Sequence, residues 1–210
     1  MHVIFDNLNA LVIGGVVVMV ILSMQMRVAE INIEETANYM VKRQGVDLAT
    51  WMEDDLMSLG LNIDKSAEVP FINPVDSAGI TVAFEFMQDS INTTVSPPDT
   101  IRITTRYDLV STGTTEVDGE NVNIYAVQRR QRLDGGPWMD AGRSPGILSH
   151  FRIDMLNRDA VPISNPAGVA ATNPDSIQNT RVRFTLVTPF GTNRSTLSRI
   201  YYGSTLMISQ

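Results

Sequence analysis

From Ala10 to Met26 the chain reads A-L-V-I-G-G-V-V-V-M-V-I-L-S-M-Q-M, almost without a polar residue. Beyond it the apolar residues thin to every third or fourth position, at Val28, Ile31, Ala37, Met40, Val41, Leu48, Met52, Leu56 and Leu59. That signal stops at Gly60, a residue suited to the left-handed conformation that closes a helix. A helix that is apolar on every side and then on one side has two surroundings, lipid first and then protein and water. A spanning helix needs about 20 apolar residues. Ile4, Phe5 and Leu8 extend the run on one side and Val28 on the other. Gly45 weakens a helix by about 1 kcal/mol relative to alanine. It predicts a kink or partial melt near 42–45 and a restart capped by Asp47. Leu48, Trp51, Met52, Leu56 and Leu59 then face inward, and Glu53, Asp54 and Asp55 form a solvated face.

After Gly60 the period changes to two. Alternation predicts strands over 80–86, 100–107, 122–133, 148–156, 180–187 and 199–208. Asp134–Pro137 is a turn from which Trp138–Asp140 returns. One wet face per strand implies an antiparallel sheet, and the helix ending at Gly60 is the amphipathic element available to cover its dry face. The stretches 64–79, 87–99, 108–121 and 157–179 read as loops. The expected fold class is α+β: a long N-terminal helix packed on an antiparallel sheet. Its parts are a transmembrane or assembly helix (1–27), an amphipathic helix entering the head (28–61) and a β domain with long loops (62–210).

Charge and composition narrow the function. With 210 residues and a net charge of −7, the chain offers no phosphate-binding surface, and nucleic acid is not an expected partner. There is no cysteine and there are two histidines, His2 and His150. Disulfides, thiolate chemistry and multi-histidine metal sites are thereby set aside. Phosphate-loop, dinucleotide, zinc-protease and nucleophile-elbow motifs are missing. No catalytic residue, cofactor or metal is expected, and an enzyme is the least favoured class. Asp118–Gly119–Glu120, Asp134 and Asp140 read as turn formers rather than calcium ligands. Arg129, Arg130 and Arg132 are split by alternation between two faces, where they suit contacts with carboxylates or a partner. Asn92–Thr94 and Asn193–Ser195 match the glycosylation pattern, which arises often by chance. Asp6 precedes the apolar run and Arg27 follows it, which argues weakly against the usual placement of the N-terminus on the cytoplasmic side.

The segment A-T-W-M-E-D-D-L-M-S-L-G-L (49–61) resembles the L-x-x-D-L-R-x-A-G-Y segment of minor pilins of the PilW type and J-type pseudopilins, with Asp55, Leu56, Gly60 and Leu61 at the corresponding places. I-L-S-H-F-R-I-D-M-L-N, followed later by I-Q-N-T-R-V-R-F-T-L-V, is similar to the last strands of that group. The resemblance implies a type IV pilin-like structural subunit, anchored in a membrane and then carried to the cell surface or an extracellular filament. Its partners would be further copies or other pilin-like subunits, met through Phe5, Asn9, Leu11, Val12, Gly14, Gly15, Val18, Ile21 and Leu22. Gly14 and Gly15 suit close helix approach. The family's leader ends in Gly before a mature Phe, and its fifth mature residue is Glu. Here Ile4 precedes Phe5, and Asn9 holds the fifth position. Asn9 can hydrogen-bond but brings no charge, which weakens or removes the assembly contact ascribed to that glutamate. The alternatives are a single-pass anchored β-domain binding module that does not polymerise, and a structural protein of a membrane-containing virus.

Overall fold

A computed structural model describes residues 2–92, 99–117, 120–188 and 201–209; within these, side chains are described for 7–91, 99–116 and 121–188. Helix α1 spans His2–Met57. It runs through 42–45 without interruption, so the helix does not melt there and does not restart at Asp47. One glycine costs too little to stop a helix whose next turns are held by packing. The chain forms two compact units, Met1–Met40 and Val41–Gln210. The last turns of α1 therefore belong with the β domain.

In that second unit the strands are β1 (Val75–Ser77), β2 (Ile80–Asn92), β3 (Asp99–Val117), β4 (Glu120–Leu133), β5 (Met139–Arg143), β6 (Leu148–Leu156), β7 (Asn179–Val187) and β8 (Tyr201–Ser209). They form one antiparallel sheet in the order β1-β2-β3-β4-β6-β7-β8, with β5 paired to β4. The sheet curls. β2 comes against β6, where Thr81 Oγ1 accepts the Ile153 N–H at 3.1 Å.

Four stretches read as loops carry structure. β2 continues through 87–92 and β3 through 108–117, because each finds a backbone partner despite its many polar side chains, with one register shift between Ser111 and Gly113. β1 lies within 64–79. Within 157–179 lie α2 (Pro166–Thr172) and a 3₁₀ turn, Pro174–Ser176. Asn165 caps α2 by accepting the Gly168 N–H, with Pro166 at the first helical position.

The core lies between the curled sheet and the end of α1. Leu48, Met52 and Leu56 of the helix meet Phe84, Phe86, Tyr107, Val127, Phe151, Ile153, Val182 and Phe184 of the strands. Register places these side chains together: Phe84 pairs with Tyr107, and Ile153 with Val182. Alternation sends their neighbours outward. At the helix exit Gly60 has φ +71° and donates its N–H to Met87 O at 2.8 Å. A Cβ there would meet the Pro70 ring at 3.0 Å. Both the turn and the close approach of 70–71 therefore require glycine.

Candidate assembly surface and the helix–sheet clamp

The first stretch of α1 is long and apolar enough to cross a membrane. Its apolar side chains are exposed on every side of the helix. Leu11, Val12, Ile13, Val16, Val17, Val18, Met19, Val20, Ile21 and Leu22 are all about half exposed or more. Asn9 is exposed with them, and the Phe5 side chain lies outside the described residues. A Cβ on Gly14 or Gly15 would touch nothing within 4 Å. The glycines therefore leave a shallow opening on the helix that no described residue fills.

The final turns of the helix have the opposite surroundings. Leu48, Met52, Leu56 and Leu59 are buried, and Trp51 is half-buried against the core. Asp55 lies in this stripe, three residues after Met52 and four before Leu59. It is not part of a solvated face. Arg129 binds its carboxylate with two parallel hydrogen bonds, Nε to Oδ2 and Nη2 to Oδ1, each 2.7 Å. The Tyr107 hydroxyl donates to Oδ2 at 2.7 Å. Asp55 and Arg129 keep side-chain exposures of only 12% and 17%, so the pair works at low local dielectric. Burial, then the charge and hydrogen bond of Asp55, push the Tyr107 phenol well up, against the opposing pull of Arg129. It stays a proton donor to the carboxylate. The Tyr107 ring meets Trp51 edge-on at 5.8 Å and Phe86 at 5.7 Å. A charge pair, a hydroxyl and the Trp51 ring thus tie α1 to β3 and β4, and the Phe86 ring carries the contact on to β2.

Sequence reasoning read Asp55 as solvated and did not connect it to Tyr107 and Arg129. Charged neighbours at 53 and 54 masked it, although its position in the i, i+3, i+4 stripe marked it as inward. Arg130 and Arg132 point outward, as alternation requires, and pair with Asp108 and Glu85. The Trp138 ring lies 4.6 Å below the Arg132 guanidinium.

The remaining candidates hold turns and strand partners. Asp134 accepts the Arg102 N–H at 2.8 Å and sits at φ +47°, before Gly135 at +73°. Asp140 accepts from Gln128 Nε2 at 2.8 Å. Residues 118–119, the segment 93–98 and the site Asn193–Ser195 lie outside the described residues. Among the described residues no three His, Asp or Glu side chains converge as metal ligands would. His150 is half-buried on the outward face of β6. The apolar recess between Leu59, Phe71, Ala170 and Ile177 measures about 20 Å³, room for a single water.

The fold and these surfaces define an α+β chain with one helix able to cross a membrane. No family model matches it, and no curated protein or solved structure does so significantly.

Proposed function

We propose that the chain is a membrane-anchored, pilin-like structural subunit that assembles through the first stretch of α1. The supporting observation is the exposure of that stretch. Thirteen large apolar side chains from Leu8 to Met26 stand about half exposed or more. At roughly 1 kcal/mol for each half-covered side chain, water contact costs on the order of 10 kcal/mol. That equals the whole stability of a typical domain, so the stretch requires lipid or other helices around it. In lipid the hydrophobic term vanishes, and packing at small residues decides association. Gly14 and Gly15 supply that packing site, and the β domain is carried outside the membrane on the helix.

The test is Gly14→Leu combined with Gly15→Leu. Space around both glycines is open within the chain, so the head should unfold as before while assembly falls. Electron microscopy of sheared surface material reads assembly, and mass spectrometry reads the mature N-terminus. Filaments of normal length and number from this variant would contradict the proposal. A second reading, an anchored binding module that does not polymerise, draws on Asn9, which brings no carboxylate to the inter-subunit contact. Wild-type protein that is monomeric in detergent, and equally active with an unrelated anchor, would favour it.

A further inference from the structure

The outward face of the sheet carries its arginines in two different ways. On β2, β3 and β4 they are matched. Arg102 pairs with Asp89 and Glu68, Arg106 with Asp108 and Glu85, Arg130 with Asp108 and Arg132 with Glu85. On β6 and β7 three arginines, Arg152, Arg181 and Arg183, all bind the carboxylate of Asp154, and Asp76 acts on Arg152 from further off, leaving three cations against two anions. That carboxylate accepts Arg152 Nε at 2.8 Å, Arg181 Nε at 3.2 Å and Nη2 at 2.9 Å, and Arg183 Nη2 at 2.8 Å. Four bonds fill the acceptor capacity of a carboxylate, whereas each guanidinium offers five donors. Asp154 is 4% exposed and its three partners 34%, 23% and 39%. The cluster is therefore a saturated buried anion under a partly exposed cationic surface.

An acidic surface that fits it lies on α1. Asp47, Glu53 and Asp54 are exposed, and none of them makes an ion pair among the described residues. Asp47 and Asp54 are two turns apart on one side of the helix, about 10 Å along its axis. Arg152 and Arg183 face each other across β6 and β7, with Arg181 two residues further along, about 7 Å away. Flexible arginine arms span that difference. Within one chain the two surfaces cannot meet. The helix packs on the inner face of the sheet with Phe151, Ile153 and Val182, while the arginines leave the outer face.

We infer that the outward β6–β7 face docks on the acidic turns 47–54 of α1 in a second copy of this chain. The inference rests on the assembly reading and names its head-to-helix contact. Opposite charge sets register and encounter rate more than affinity, so the contact is salt-sensitive and aligns copies already held by their anchors.

The chain's lack of cysteine makes the test clean. Full-length Arg183→Cys and Asp54→Cys proteins are mixed in detergent and treated with a short bis-maleimide. A cross-linked pair containing one of each is expected, at least fivefold weaker at 0.5 M salt. Reversing the exposed helix charges with Asp47→Arg and Glu53→Arg should remove it, while an unchanged unfolding midpoint shows the head intact. A cross-link indifferent to salt and to these reversals overturns the inference. Copies that still associate through the Gly14–Gly15 helix without any cross-link also overturn it, leaving the assembly reading in place. Arg152- and Arg181-dependent retention of anionic lipid, again without a cross-link, overturns it in favour of a lipid surface.

Discussion

Two stretches of one helix, 11–22 and 48–59, are equally helical and have opposite surroundings. Leu11 and Met19 are 76% and 73% exposed, whereas Met52 and Leu56 are fully buried. The difference is one of pattern width. An apolar surface on all sides exceeds what a single sheet can cover, so the first stretch stays uncovered by the described residues of this chain. A stripe with polar flanks fits one sheet face and is covered within the chain. Secondary structure is common to both, and the partner is what differs.

The comparison is broken most directly by truncation. Leu56→Ala should cost the β domain about 2–5 kcal/mol. Val18→Ala, in the exposed stretch, should change it by less than about 0.5 kcal/mol. Urea unfolding followed by Trp51 fluorescence measures both, and equal losses would erase the distinction.

Asp55→Ala comes next. It leaves the Arg129 guanidinium and the Tyr107 hydroxyl without their shared acceptor, at about 2–3 kcal/mol, less than for a fully buried pair because some exposure remains. Replacing both partners, Asp55→Leu with Arg129→Met, should be less harmful than either single change. A double variant as unstable as the sum of the singles would show that the clamp is not a coupled pair.

The smallest effects depend on pH. Burial raises the Asp154 carboxyl, but hydrogen bonds from Arg152 and Arg181 and the nearby guanidinium charges outweigh it and hold it below the ordinary 3.8. Its stabilising contribution is present above that value and is lost as pH falls through the lower folded one. Burial, then Arg183 and Arg152, lower His150 from 6.5 against the pull of Asp154. The unfolded chain thus takes up a proton first. Stability is full above about pH 6.5 and declines as pH falls toward the folded value. His150→Asn should flatten that slope in thermal melts between pH 7 and 5. An unchanged slope would assign it to other groups.

Some elements were legible because pattern and packing agree. β7 begins one residue before 180, since it alternates cleanly, and β6 falls on 148–156, since Phe151, Ile153 and Met155 share its buried face despite a register shift between Leu148 and His150. The far half of β3, D-L-V-S-T-G-T-T-E-V, carries no such alternation beyond Val110. Backbone pairing such as Thr114 with Asn123 extends it, and side chains do not report backbone pairing. Helix α2 did leave a signal, Asn165 before Pro166, but its seven residues are too few to show a helical period. The Asp55 clamp was hidden for another reason. Its members stand 52 and 74 residues apart, and only the folded sheet brings them together.

The most direct test of the central claim is a single-cysteine scan from Leu11 to Met24 in this cysteine-free chain, with oxidative cross-linking in the membrane. The account predicts disulfides between copies that recur about every three to four residues, strongest along Leu11, Gly14, Gly15, Val18, Ile21 and Leu22. A chain that stays monomeric at every position would contradict it.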